Sequence, residues 1–254
     1  MKILKVTPKS EEITRLCSRT VAPSREIHEK VLSILEDVKQ NGVSAALRYA
    51  KEFDGLQGNS LKISPKVVNA AAAKVSETLQ SAIRSAIRNV RDFHKKQLEK
   101  SWQFKTKEGS VLGQRIRPMR RVGLYVPGGA GVYPSTVIMN AVPALVAGVS
   151  EIVVVTPARG GLNPAVAFVL KELGITEIYH IGGAQAVALL AYGAKGIPVV
   201  DKIVGPGNVF AAIAKKEVFG VVDIDMIAGP SEVLVMADNS SDPDFVAADL
   251  LAQA

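Results

Sequence analysis

Between Arg121 and Ala254 short apolar strands alternate with helical stretches, and four tight Gly/Pro turns punctuate the series. The turns are Tyr125-Val126-Pro127-Gly128-Gly129, Gly182-Gly183-Ala184-Gln185, Gly205-Pro206-Gly207-Asn208 and Ala228-Gly229-Pro230-Ser231-Glu232. Three of them follow a short apolar strand, and a helical pattern opens soon after. Strand-helix alternation at this spacing builds β-α-β units and a mostly parallel sheet. Open parallel sheets take their ligands where strands end. The turns therefore point to a nucleotide- or cofactor-binding enzyme rather than a scaffold.

The pattern predicts strands at Val122 to Val126, Glu151 to Val155, Glu177 to Ile181 and Lys202 to Val204. Helices are predicted over about 135–147, 164–173, 184–192 and 208–219, with Gly148, Gly174, Gly193 and Gly220 where their C-caps should be. Pro143 should kink the first of these helices or mark its true start. Further strands are expected at Val222 to Asp225 and Val233 to Met236. Asp242-Pro243 opens a last helix with Phe245, Val246, Leu250 and Leu251 on its inner face. That helical pattern breaks off at Gln253-Ala254 without a capping Gly, Pro or polar tail, which suggests a truncated polypeptide.

The first 121 residues read differently. They hold 25 Lys and Arg against 12 Asp and Glu, whereas residues 122–254 hold 6 against 12. Residues 1–22 read as an extended leader with breaks at Pro8 and Pro23. A helix capped by Ser24 carries Ile27, Val31, Ile34, Leu35 and Val38 on one face and stops near Gly42. A second runs from Ser44 to about Phe53 and ends at Asp54-Gly55. A long helical region follows from Pro65 to about Lys100, with Leu79, Ile83, Ile87, Val90, Phe93 and Leu98 as a buried stripe. Trp102 to Lys105 and Val111 to Arg117 then form two strands around a turn. The shift in composition at Arg120-Arg121 reads as a domain boundary.

A basic half raises the question of nucleic acid. Its charges, however, lie on amphipathic helices with no run of stacking aromatics beside them, the pattern of a solvated face. No apolar run reaches membrane-span length, and the amino terminus lacks the apolar stretch of a signal peptide, which makes the cytoplasm the default compartment. Cys17 is the single cysteine, so an internal disulfide and a multi-cysteine metal site are both excluded. His28, His94 and His180 have no zinc-ligand spacing with one another. Neither a G-x-G-x-x-G nor a Walker A sequence is present, so any bound nucleotide is held by other turns.

Each turn alone has two readings. Pro127-Gly128-Gly129 lets backbone approach a phosphate or a ring, and an ordinary strand-to-helix turn uses the same residues. Gln185 and Asn208 stand at helix starts, where they serve as caps or face an anionic cofactor. Ser231 and Glu232 follow a rigid turn, either capping or hydrogen-bonding to a ligand. Asp223 and Asp225 are candidate general bases or solvated acids. Four such turns at strand ends favour the functional reading.

The segments LYVPGG, IGGAQA, VDKIVGPGN, IDMIAGPSEVLVMAD and FVAADLLAQA together closely resemble the histidinol dehydrogenase family. The resemblance covers most of the chain and is most specific over 224–254. It implies an NAD- and zinc-dependent cytoplasmic enzyme that oxidises L-histidinol to L-histidine through the aldehyde, the last step of histidine biosynthesis. Tyr125, Gln185 and Asn208 match NAD-contacting positions, and Ser231 matches a substrate-contacting position. Gln253 matches a glutamine that binds substrate and ligates Zn²⁺. An amide is a weak zinc ligand that needs His and carboxylate companions. In the family a Glu-His follows the position of Ala254. The other zinc ligands and the Glu-His acid-base pair lie further on, so no catalytic residue is expected within this chain and it is expected to be inactive alone.

The resemblance also implies a homodimer, with neither nucleic acid nor membrane as partner. The implied fold is α/β, with two incomplete Rossmann-like domains of mostly parallel sheet preceded by a helical amino-terminal segment. The expected divisions are 1–22 (leader), 23–121 (helical and hairpin part of a first, discontinuous domain), 122–232 (NAD-binding domain) and 233–254 (return into the first domain). Two rival readings remain: a relative acting on another amino or sulfonated alcohol with NAD(P), and a noncatalytic fragment binding protein or RNA through the basic half.

Overall fold

The computed structural model describes residues 7, 10–17, 24–128, 133–227 and 233–252. It divides into two compact units, one of residues 25–227 and the other of 1–24 with 228–254. In chain order the helices are α1 (Glu11–Cys17), α2 (Arg25–Phe53), α3 (Pro65–Ala72), α4 (Glu77–Lys95), α5 (Pro134–Val146), α6 (Pro164–Glu172), α7 (Gly183–Tyr192), α8 (Val209–Val218) and α9 (Pro243–Leu251). The strands are β1 (Trp102–Lys105), β2 (Val111–Gln114), β3 (Arg121–Tyr125), β4 (Glu151–Thr156), β5 (Glu177–His180), β6 (Lys202–Val204) and β7 (Asp223–Ile224).

In the larger unit five parallel strands stand in the order β5-β4-β3-β6-β7. The chain lays down β3, moves outward through β4 and β5, then returns to the other side of β3 for β6 and β7. The switch point thus lies between β3 and β6, and helices cover both faces as parallel sheets require. Successive strand residues feed opposite cores. Tyr125, Val153, Val155, Tyr179 and Ile203 face one cluster, and Val122, Leu124, Val154 and Ile178 the other. The first cluster is closed by α2, α7 and α8, and the second by α3, α4, α5 and α6. The long amino-terminal helices are therefore cover for this sheet, and Arg121, where the composition shifts, is the first residue of β3.

Arg121 also explains the acids opposite it. Its guanidinium is buried at the amino-terminal edge of the sheet, with Nη1 donating to Glu151 (2.9 Å) and Glu177 (2.8 Å) and Nη2 donating to Glu177 (2.6 Å). Glu151 and Glu177 open β4 and β5, so one cation pins three adjacent strands in register.

Several local expectations change. Within the expected leader, Glu11–Cys17 form a helix, α1, whose Glu11 and Glu12 sit in the first turn where the helix dipole favours acids. The two helices expected around Gly42 run together as α2 across a kink, with Gly42 at φ +53°. The region 65–100 is two helices because Ser64 and Ser76 each accept a backbone N–H at a new N-terminus, from Val67 and Leu79. The expected stripe is fully buried only at Ile83 and Ile87 of α4; Leu79 and Phe93 are exposed, as is Leu98 beyond the end of the helix. Helix α4 meets α5 and α6 through Ile83 and Ile87, with Ala86 and Val90 partly buried beside them. Helix α5 continues through Pro143. The expected C-cap glycines, Gly148, Gly174, Gly193 and Gly220, all have positive φ.

In the smaller unit α9 begins after Asp242, whose side chain accepts from Asp244 N–H. Phe245, Leu250 and Leu251 are exposed among the described residues rather than forming an inner face. Val233 to Met236 forms no strand: no described residue pairs with it, and a lone segment has no ladder for its backbone groups. No helix among the described residues is long and apolar enough to cross a membrane.

Candidate functional site

The carboxyl ends of β3, β5 and β6 meet at a cavity of about 420 Å³, within the range of about 300–1,000 Å³ common for small-molecule sites. Tyr125 lines it from the end of β3 with Pro127 and Gly128 of the turn that follows, Gly183, Ala184 and Gln185 from the start of α7, and Asn208 and Phe210 from the N-cap and first turn of α8. Lys30, Ile34, Phe53 and Asp54 of the α2 region and Pro157 and Arg159 of the loop after β4 complete it.

Four glycines let the turns close this tightly. A Cβ at Gly128 would stand 2.2 Å from the Pro157 carbonyl oxygen, and one at Gly183 would stand 2.7 Å from Gln185 Oε1. At Gly207 it would meet Ala211 Cβ at 2.5 Å. Gly205 has φ +114°, and a Cβ there would lie 2.2 Å from the carbonyl oxygen of Tyr125 on the neighbouring strand. At Gly128 and Gly205 the close neighbour is backbone, so those two glycines are dictated by backbone approach.

Hydrogen bonds fix the polar lining. Tyr125 is buried, and its hydroxyl oxygen accepts from Gly183 N–H at 2.9 Å, tying β3 to the first turn of α7. Burial, with the nearby Asp54 charge, pushes its phenol up to about 12 although the Gly183 N–H works the other way. Tyr125 therefore stays neutral at physiological pH, and its own proton remains available as a donor. Asn208 caps α8, its Oδ1 accepting from Ala211 N–H at 3.1 Å, so its Nδ2 donors point away from the helix. Gln185 is almost fully buried, yet it is among the residues lining the cavity.

The sequence marks Asp54 only as the end of a helix. Its buried carboxylate reaches across to α7 and accepts from Gly182 N–H at 3.0 Å and Gln185 Nε2 at 3.2 Å. Its backbone carbonyl accepts from His180 Nε2 at 3.1 Å, which fixes the proton of His180 on that nitrogen, since a carbonyl cannot donate. Arg159 donates to the Phe53 carbonyl at 2.6 Å and holds the same segment from the other side.

Burial raises the Asp54 carboxyl above its usual 3.8, with the Gly182 and Gln185 donors opposing. A raised pKa means that the folded chain binds the proton more tightly than the unfolded one, so this group's stabilisation is present below 3.8 and fades as pH rises through the folded value. Asp54→Asn removes the titration. The stability of the variant relative to the parent is expected to climb as pH increases above 3.8 and to level off toward neutrality. Urea melts across that range measure it, and a pH-independent difference would contradict the assignment.

The acids in and just after β7, Asp223 and Asp225, are engaged rather than free. Lys202 pairs with Asp223 at 2.8 Å and holds its carboxyl below the usual range. Buried Lys215 pairs with Asp225, and its Nζ also donates to the Gly205 carbonyl at 3.0 Å. Asp225 Oδ2 in turn accepts from Gly205 N–H at 2.7 Å. Both acids serve the sheet edge and the Gly205 turn.

Of the residues singled out by sequence, the structure brings Tyr125, Gln185 and Asn208 to one cavity. Ser231 and Gln253 lie outside the described residues. Among the described residues no group of three or more His, Cys, Asp or Glu could hold a metal ion.

A doubly wound parallel sheet with a glycine-rimmed cavity at its switch point defines an open α/β ligand-binding domain of the Rossmann type. A family model described as histidinol dehydrogenase matches residues 17–254. The histidinol dehydrogenase of Carboxydothermus hydrogenoformans is 48% identical over 99% of this chain and 60% of its own length. That of Bacillus subtilis is 49% identical over 92% of this chain and 55% of its own. The crystal structure of histidinol dehydrogenase from Elizabethkingia anophelis superimposes with a TM-score of 0.88 at 39% identity, covering 97% of this chain and 58% of that one. The chain belongs to the histidinol dehydrogenase family. It spans about 60% of the length of the curated relatives it matches.

Proposed function

We propose that this chain supplies the NAD-binding part of an enzyme that oxidises L-histidinol to L-histidine by way of the aldehyde. The observation that carries the reading is the convergence of Tyr125, Gln185 and Asn208 on one switch-point cavity whose glycines leave room for a ligand. In it Tyr125 offers a neutral O–H and Asn208 an amide N–H to acceptor atoms, and buried Gln185 lines the wall. Lys30 and Arg159 give the rim the charge that a pyrophosphate requires. NAD, when bound, would supply a hydride acceptor. The chain's own residues orient it and exclude water, which is how a site retains a reactive intermediate between two oxidations.

Zinc stands differently. Ser231 and Gln253, the positions that the family resemblance assigns to substrate and metal, lie outside the described residues, and the described acids and histidines do not cluster. The same reading carries a cytoplasmic homodimer, and a monomer mass in sedimentation equilibrium would count against the dimer.

Calorimetric titration of the chain with NAD tests the central claim. Saturable binding is expected, weakened about fivefold to tenfold by Tyr125→Phe, since one hydrogen bond contributes roughly 1 kcal/mol. Absence of binding, or a variant indistinguishable from the parent, would refute it.

A further inference from the structure

We propose that a second cavity, across the Gly128–Pro157 contact from the first, binds a phosphate group carried by a small molecule other than the dinucleotide. The cavity measures about 530 Å³ and lies at the carboxyl end of β4, lined from α3 on one side and from the start of α6 on the other. Pro127, Gly128, Pro157 and Arg159 line both cavities and so lie between them.

Thr156 marks the second cavity as a binding site. It closes β4, and because strand side chains alternate it shares a face with Val154, on the side covered by α3 and α6 and opposite Val155. The residue is 5% exposed, and its hydroxyl has no hydrogen-bond partner among the described residues. Arg121 Nε is the one described side-chain polar atom that is sealed off without a partner. Thr156 Oγ1 is therefore not sealed off; it opens on the cavity that its residue lines. A hydroxyl so deeply placed takes its partner from outside the chain.

The surroundings select an anion. In the loop after β4, Gly161 N–H bonds to the Ala158 carbonyl at 2.8 Å, whereas the N–H groups of Ala158, Arg159, Gly160, Leu162 and Asn163 have no backbone acceptor among the described residues. Asn163 caps α6. The N–H groups of Ala165 and Val166 only donate, so Asn163 Oδ1 faces them at 2.9 and 3.3 Å and Nδ2 is left to donate elsewhere. That cap occupies two helix N–H groups, so α6 contributes its dipole more than its amides. Lys74 and Arg159 bring two positive charges, and no Asp or Glu is among the described residues lining the cavity. Donors with positive charge and no carboxylate suit phosphate oxygens. Val67, Ala71 and Val166 leave an apolar side, which accommodates the organic body that carries the phosphate.

Inorganic phosphate is the probe, titrated calorimetrically into the whole chain at fixed ionic strength. Saturable binding of one phosphate per chain is expected, unchanged by saturating NAD. Thr156→Val removes the hydroxyl and should weaken binding at least about tenfold, the loss of one hydrogen bond to a charged group, whereas Thr156→Ser keeps it within about threefold of the parent. Neither change breaks a hydrogen bond within the protein, so the thermal midpoint should hold in both. Lys74→Gln should weaken binding by a smaller factor that shrinks as salt rises. Backbone amide shifts followed while phosphate is added to the parent give the location without any variant: those of 158–163 should move and those of 183–185 should not. Should Thr156→Val unfold, the shifts decide alone. Absence of saturable binding, parent-like binding by Thr156→Val, shifts confined to 183–185, or displacement of phosphate by NAD would each overturn the proposal. A chain that binds phosphate as described but not NAD refutes only the reading of the first cavity.

Discussion

Gly205→Ala is expected to destabilise the chain by at least about 3 kcal/mol and to abolish NAD binding, because two costs fall on one atom. The residue has φ +114°, a region that L side chains rarely enter. The added Cβ would also stand 2.2 Å from the Tyr125 carbonyl oxygen and 3.1 Å from its carbonyl carbon. Both are backbone atoms of β3, a central strand of a packed sheet, so they cannot swing aside as a side chain would. Relief requires β3 and β6 to part at their carboxyl ends, which displaces Tyr125 and Asn208 together.

A control isolates the second cost. Gly174 has φ +69°, but a Cβ there meets nothing within 4 Å, so Gly174→Ala should lose only the conformational term of about 1–2 kcal/mol. Guanidinium melts of the two variants measure the difference. Equal losses would show that the close approach to Tyr125 contributes nothing.

The contrast between these glycines shows what a sequence can carry. Gly205-Pro206-Gly207-Asn208 announces a turn at a strand end, and the strand-helix period places that turn beside Tyr125 and Gln185 on one edge. Local pattern sufficed there because β-α-β geometry is nearly the same wherever it occurs. Asp54 could not be found that way. It sits in the basic half at a helix end, in the guise of a stop signal, and its role exists only through contacts with Gly182 and Gln185 about 130 positions away. Asp223 and Asp225 look alike in sequence, yet the structure gives each its own lysine.

The stripe on α4 failed for a related reason. Periodicity reports an apolar face but not how much of it a neighbour covers; here Leu79 and Phe93, toward the two ends of α4, are exposed, Ile83 and Ile87 between them are buried, and Leu98 lies beyond the helix. Val233 to Met236 has strand composition, but a strand is a relation between segments.

Lys215→Met should cost about 3 kcal/mol, because it breaks an ion pair whose cation is almost wholly buried. The Lys215 side chain is 3% exposed and its Asp225 partner 28%, so the carboxylate left behind is partly hydrated and the loss belongs at the low end of the roughly 3–5 kcal/mol typical of such breakage. Two acceptors lose a donor at once, the Asp225 carboxylate and the Gly205 carbonyl. Gly205 then keeps its N–H bond to Asp225 but loses the donor at its carbonyl, and NAD affinity should fall with stability because Asn208 is three residues away. Adding Asp225→Asn removes the uncompensated charge while leaving an acceptor for Gly205 N–H. The double variant should therefore be more stable than Lys215→Met, with a coupling of at least about 1 kcal/mol in a double-mutant cycle. High salt should change little, since screening reaches exposed pairs and not this one. Additive losses in the cycle, or a pair that dissolves in salt, would mean that Lys215 only fills space beneath the turn.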